Sequence, residues 1–98
     1  MMSYYSYYRG GTSLAPRLID VIINPMTGLI MPTRGVSIFD RPDGLERYGG
    51  AYEVGPIPDT LQIVKAGRNP HHFEIAPAYE MAMDDYQAEL GKITLTPV

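Results

Sequence analysis

Cysteine is absent from this chain of 98 residues, so the fold has no disulfides and no zinc site built on thiolates. Histidine is scarce: His71 and His72 are the only two, too few for a metal centre by themselves. No apolar run approaches the roughly 20 residues that a membrane-spanning helix needs. Positive charge is also short. Eight lysines and arginines stand against eleven acidic side chains, a net charge of −3. That balance argues against a broad nucleic-acid-binding surface and leaves room for a local basic pocket. The stretch Met1–Tyr8 is rich in tyrosine rather than charged and then apolar, so a cleaved secretory leader is not expected. A nucleoside-triphosphate loop is missing as well, because Gly10-Gly11-Thr12-Ser13 lacks its lysine and its spacing.

What is present suits a folded domain. The hydrophobic share of 45% is ordinary, and the length calls for one domain over residues 1–98 with a modest core. Nine prolines and ten glycines are spread along the chain, the punctuation expected of many short strands. Strands are predicted over Ser3–Arg9, Leu18–Ile23, Gly35–Phe39, Ala51–Val54, Leu61–Lys65 and His71–Ala76, with Leu29–Met31 a brief extended piece. Asn24–Gly28 and Gly55–Asp59 carry turn chemistry. Asp40–Tyr48 reads as one or two helical turns capped by Asp40. The one clear helix is predicted from about Met81 to Leu90. Tyr79, Met83, Tyr86 and Leu90 form its buried stripe, Asp84 and Asp85 favour its dipole, and Gly91 suits its C-terminal cap. Ile93–Val98 is a last edge strand or a tail. The fold class is therefore α+β, mostly β, with one main C-terminal helix.

Three places carry side chains suited to chemistry. Arg9 ends a strand of tyrosines, with Tyr5 and Tyr7 on its face, and Gly10 and Gly11 follow it. An arginine there can clamp phosphate or carboxylate while the glycines admit a ligand closely, or it can simply stack on a tyrosine at the surface. Ser37 sits among Val36, Ile38 and Phe39, where a buried hydroxyl needs a partner: a backbone group, or a catalytic side chain it holds in place. His72 and Glu74 lie two apart on a strand and so share a face. That pair can orient ribose hydroxyls or support a cationic transition state, or it can be a solvated polar face opposite Phe73 and Ile75.

Read in order, Tyr7-Tyr8-Arg9-Gly10, Asp20-Val21, Thr27-Gly28-Leu29-Ile30-Met31-Pro32, Gly35-Val36-Ser37-Ile38-Phe39-Asp40, Ile57-Pro58-Asp59-Thr60-Leu61 and His72-Phe73-Glu74-Ile75-Ala76-Pro77-Ala78 resemble a toxin family. It is the family named after the type VI secretion exported effector two, whose fold is similar to that of ADP-ribosyltransferases. The resemblance implies a compact, split β fold that cradles NAD as co-substrate. It assigns Arg9 and Gly10 to the dinucleotide and Tyr52 to the nicotinamide pocket. It assigns Ser37 to the central strand of that pocket, and His72 or Glu74 to the nicotinamide ribose. It further implies inhibition of bacterial growth and a cognate antitoxin or immunity protein. The place of action is the cytoplasm, the cell's own or that of a target cell. The acceptor of ADP-ribose is left open among protein, nucleic acid and water. Two other classes stay open beside it: a non-enzymatic interaction module using exposed tyrosines, and a single-stranded nucleic-acid binder using them as a stacking platform.

Overall fold

The computed structural model describes residues 6–98. Its architecture follows from short, alternating segments that bury one face each. Six strands are formed: β1 Tyr8–Gly10, β2 Val36–Phe39, β3 Ala51–Val54, β4 Leu61–Lys65, β5 His72–Pro77 and β6 Leu95–Pro97. They make one antiparallel sheet in the order β4-β5-β2-β1-β3-β6, and one helix, α1, spans Met83–Leu90. The described part of the tyrosine-rich first strand begins at Tyr8, and the portion expected over Ser3–Tyr5 lies outside the described residues.

The sheet is two three-stranded halves joined at one point. Ladders tie β4 to β5 and β5 to β2 on one side, and β1 to β3 and β3 to β6 on the other. Between the halves, β1 and β2 share the single pair Tyr8↔Phe39. Beyond it the strands part, because Gly11 turns β1 away with φ 87° and donates its N–H to Gly50 instead. Gly55–Asp59 is not a hairpin turn, since β3 and β4 lie four strand spacings apart. The six linking residues cross that width of about 19 Å and end in a turn at Asp59–Thr60, where Leu61 N donates to Pro58 O at 3.0 Å.

Alternation and register sort the side chains. Val36 and Ile38 of β2 join Phe73 and Ile75 of β5 on one face, where Tyr86 and Leu90 of α1 cover them. Ser37, Phe39, His72 and Glu74 occupy the other face. Tyr86 is fully buried, and its hydroxyl joins β2 to β5 by accepting from Val36 N (3.1 Å) and donating to Ile75 O.

Burial pushes the Tyr86 hydroxyl up to about 12. The ordinary value in an unfolded chain is about 10, so the folded state holds this proton more tightly. Stability from this group is therefore fully present below about pH 10 and is lost as pH rises toward about 12, by ~2–3 kcal/mol. Tyr86→Phe is expected to cost about 2 kcal/mol at neutral pH, because two buried backbone groups lose their partner. The same variant is expected to flatten the alkaline loss, which urea melts at neutral pH and at about pH 11.5 will show.

Several sequence expectations need correction. Leu18–Ile23 is not a strand. Leu18–Asp20 is a 3-10 turn closed by Asp20, whose carboxylate accepts from Arg17 N at 2.7 Å, and only Ile23 makes an isolated bridge, to Ile30. The β-branched composition favoured a strand, but this side-chain-to-backbone bond competes with any ladder. The helical turn within 40–48 is confined to Glu46–Tyr48 and begins after Leu45, because the Asp40 carboxylate is engaged by His71 Nδ1 at 2.8 Å. Helix α1 starts two residues later than expected, since Met81 is held in a bridge to Ile30. Tyr79 is exposed rather than part of the buried stripe. Gly91 ends the helix at φ −64°, without the left-handed conformation for which glycine is usually chosen.

Candidate functional site

Ser37 is the meeting point of the residues singled out in the sequence. It lies directly opposite Glu74 on the β2–β5 ladder, and its Oγ stands 2.9 Å from His72 Nε2. Its carbonyl accepts from Arg9 Nη1 at 2.8 Å. Arg9 arrives from the other face of the sheet. Tyr8 shares the face of its partner Phe39, so Arg9 projects on the opposite side, as does Tyr7, whose ring meets Phe73 edge-on at 5.2 Å. The guanidinium sits in the fork where β1 leaves β2 and supplies the donor that a continued ladder would have provided. Nε donates to Ser13 O at 2.9 Å, and Nη2 has no acceptor among the described residues. Burial draws the Arg9 pKa below its ordinary value, with the nearby Asp20 carboxylate opposing. Burial in turn raises Asp20, but hydrogen bonds from Arg17 and the charges of Arg17 and Arg9 outweigh it and leave that carboxyl below its usual value.

His72 and Glu74 share a face as expected, but that face is covered rather than solvated. Glu74 is 2% exposed, while the His72 side chain is 23% exposed. Glu74 Oε1 accepts from Gly35 N at 3.0 Å with Arg34 Nε 3.6 Å away, and Oε2 lies 3.8 Å from His72 Nε2. Residues 32–34 fold over this side, since Gln62 Nε2 also donates to Pro32 O at 3.0 Å. Of the two candidates for the ribose, His72 is the one a ligand can reach. The carboxylate and Ser37 both face Nε2, which favours the tautomer protonated there and leaves the Nδ1 lone pair free as an acceptor. Nδ1 looks toward the turn at Gly67, where an added Cβ would stand 3.6 Å away. This is not the arrangement of a serine nucleophile. An orienting acid would have to hold Nδ1, whereas Glu74 competes with Ser37 for the same nitrogen.

Gly10 and Tyr52 are placed differently. A Cβ at Gly10 would meet the Tyr48 side chain at 2.7–3.0 Å, so this glycine makes room for Tyr48. Tyr52 pairs with Arg9 across β1–β3 and shares its face, as do Val54 and Leu95. On that face lies a cavity of about 500 Å³ between the Thr12–Pro16 segment, the end of α1 and Leu95. Ser13, which holds Arg9, is in its wall. A second cavity, of about 180 Å³, adjoins Phe39, whose ring stacks on His72 at 5.3 Å. None of Arg9, Gly10, Ser37, Tyr52, His72 and Glu74 lines either cavity. The carboxylate's support from Arg34 and Gly35 escaped the sequence reading. Its one visible signal is a glycine at the start of a strand, a mark of close backbone approach.

Compared with protein families, characterised proteins and solved structures, the chain matches none. Arg9→Ala is expected to cost about 1–3 kcal/mol, because the part-buried Ser37 carbonyl loses its donor while the exposed Ser13 carbonyl is rehydrated. The variant remains folded if total stability lies in the usual range of about 5–15 kcal/mol. Urea denaturation beside the wild type measures the difference.

Proposed function

We propose that this protein is an NAD-consuming toxin of the ADP-ribosyltransferase kind, which transfers ADP-ribose to a macromolecule or to water and so inhibits bacterial growth. The observation that carries the reading is Ser37 held from both sides, its carbonyl by Arg9 and its hydroxyl by His72. This brings an arginine whose Nη2 has no acceptor among the described residues and an accessible imidazole to one strand, at the fork of a split sheet. The cavity of about 500 Å³ on Arg9's face has the size usual for small-molecule and cofactor sites, about 300–1,000 Å³, but Ser13 stands in its wall and Arg9 and Tyr52 do not.

In this reading Arg9 Nη2 grips the pyrophosphate of NAD at the fork, the nicotinamide ribose lies on the His72 side of the sheet, and Tyr52, on Arg9's side, takes no part in the nicotinamide pocket. The bond between nicotinamide and ribose breaks first, through an oxocarbenium-like state, and nicotinamide leaves neutral. The new bond forms between the ribose carbon and the acceptor oxygen, and the acceptor's proton goes to His72 Nδ1. Glu74 stays inside as a positioning residue that fixes the imidazole and balances its charge. The place of action is the cytoplasm of the producing cell or of a target cell. Among the described residues, no helix is long and apolar enough to cross a membrane.

Release of nicotinamide from NAD by the purified protein tests the proposal. Arg9→Ala is expected to raise KM for NAD about tenfold or more through loss of a charge-assisted contact, and to relieve growth inhibition. Absence of turnover with cell extract added as a source of acceptor and activator sinks it. One observation favours a protein partner as well, whether as an immunity protein or in a purely binding role. Leu18, Ile19, Ile22, Ile23 and Met26 are all exposed within one stretch, a concentration of apolar surface that marks interaction sites.

A further inference from the structure

The free positive charge of this acidic chain is gathered in one place. Of its eight lysines and arginines, five are engaged within the protein. Arg9 and Lys65 hold backbone carbonyls, and Arg17, Arg34 and Lys92 face carboxylates. Arg41, Arg47 and Arg68 are the three without an acceptor among the described residues. Arg41 and Arg47 wall the cavity of about 180 Å³ beside Phe39, and Arg68 precedes Asn69 of the same wall.

The donors there are prepared for a ligand. Asn69 Oδ1 accepts from His71 N at 2.9 Å, and its Nδ2 donors have no acceptor among the described residues. His71 Nδ1 is occupied by Asp40 at 2.8 Å, so Nε2 is the nitrogen left for the cavity. Arg47 is steadied over the Tyr48 ring, its guanidinium 4.9 Å from the centroid. Asp43 is the one carboxylate in the wall, and it has no partner among the described residues. The cavity is below the usual range for a whole cofactor, so it suits a single anionic group and not a dinucleotide.

We propose that this pocket binds a phosphate monoester group, at a site separate from Ser37 and His72 and independent of the reading of those residues as an NAD site. Two planar guanidinium forks match a tetrahedral phosphate dianion, and the amide of Asn69 adds a neutral donor. Asp43 weakens the site by repulsion. The rings of Tyr48 and Phe39 stand beside it, where the carrier of the phosphate rests.

The test is an amide NMR titration of the 98-residue protein with inorganic phosphate and, separately, with adenosine monophosphate, against sodium chloride at matched ionic strength. Saturable shifts confined to Gly44, Tyr48, Asn69 and His71 are expected. The double variant Arg41→Gln, Arg47→Gln is expected to bind about tenfold more weakly or worse. Asp43→Asn is expected to bind several-fold more tightly, a gain that misfolding cannot produce. Tighter binding of the nucleotide than of phosphate supports the site with a nucleoside as carrier, and equal binding supports it with the phosphate alone as the recognised unit. Shifts that fail to saturate, that chloride reproduces, or that ignore both sets of substitutions overturn the proposal.

Discussion

Gly35→Ala is expected to leave no cooperatively folded protein. A Cβ at this position would stand 1.8 Å from the carbonyl oxygen of Ile75 and 2.4 Å from the Tyr86 hydroxyl. Neither neighbour has room to move. The carbonyl belongs to β5, paired on both edges, and the hydroxyl is bonded to that carbonyl and to Val36 N. Separating β2 from β5 also breaks the bond from Gly35 N to Glu74 and leaves a buried carboxylate short of a donor. Overpacking costs about 1–3 kcal/mol in typical cores, and each orphaned buried polar group adds about 1–3 more. Together they match the lower part of the ~5–15 kcal/mol that holds a domain, where a small chain belongs. Gly91→Ala is the control. That residue has φ −64°, the added Cβ meets nothing closer than 3.4 Å, and the change is expected to stay within about 1 kcal/mol. Circular dichroism and urea titration of the two variants decide the matter. A Gly35→Ala protein that unfolds with wild-type cooperativity and midpoint contradicts the close approach of the strands.

His72→Ala is expected to lower nicotinamide release by about a hundredfold or more while the protein stays folded, the range usual for loss of a positioned general base. The imidazole opens β5, is partly exposed, and bonds a side chain rather than the buried backbone. Its removal therefore spares the core. Glu74→Ala is the poorer test, because it strips Gly35 N of its acceptor inside the protein, so relief of growth inhibition by that variant reports lost folding as much as lost chemistry. Glu74→Gln keeps the shape and one acceptor oxygen for Gly35 N, removes the charge and turns the other oxygen into an NH2 donor. It is expected to shift the pH profile of kcat and to leave KM for NAD close to that of the wild type. Equal rates for His72→Ala and wild type would show that Nδ1 takes no part in the reaction.

Much of the fold was legible because it is written locally. Val36–Phe39, Ala51–Val54, Leu61–Lys65 and His72–Pro77 are strands within a residue of where alternation and β-branched content put them, and Tyr86 and Leu90 are buried one turn apart on the helix. Alternation also placed His72 and Glu74 on one face, since the period of a strand needs no knowledge of its neighbours. Local signals misled where a side chain competes with the backbone. The composition of Leu18–Ile23 points to a strand, whereas the Asp20 carboxylate closes a turn on Arg17 over Leu18–Asp20.

By itself, then, the sequence determined four of the strands, the one helix, and which side chains share a face within each of them. It also excluded disulfides and thiolate-bound metal. Only the tertiary structure decided how those faces combine. Strand order separated β3 from β4 by three intervening strands, and register brought Ser37 opposite Glu74. Folding of residues 32–34 buried Glu74 and left His72 accessible. The single pair Tyr8↔Phe39 put Arg9 on the other side of the sheet, where it reaches Ser37 only through the backbone. The reason is physical. A one-residue change of register turns every side chain of a strand to the opposite face, and register is set by contacts between segments far apart in the chain.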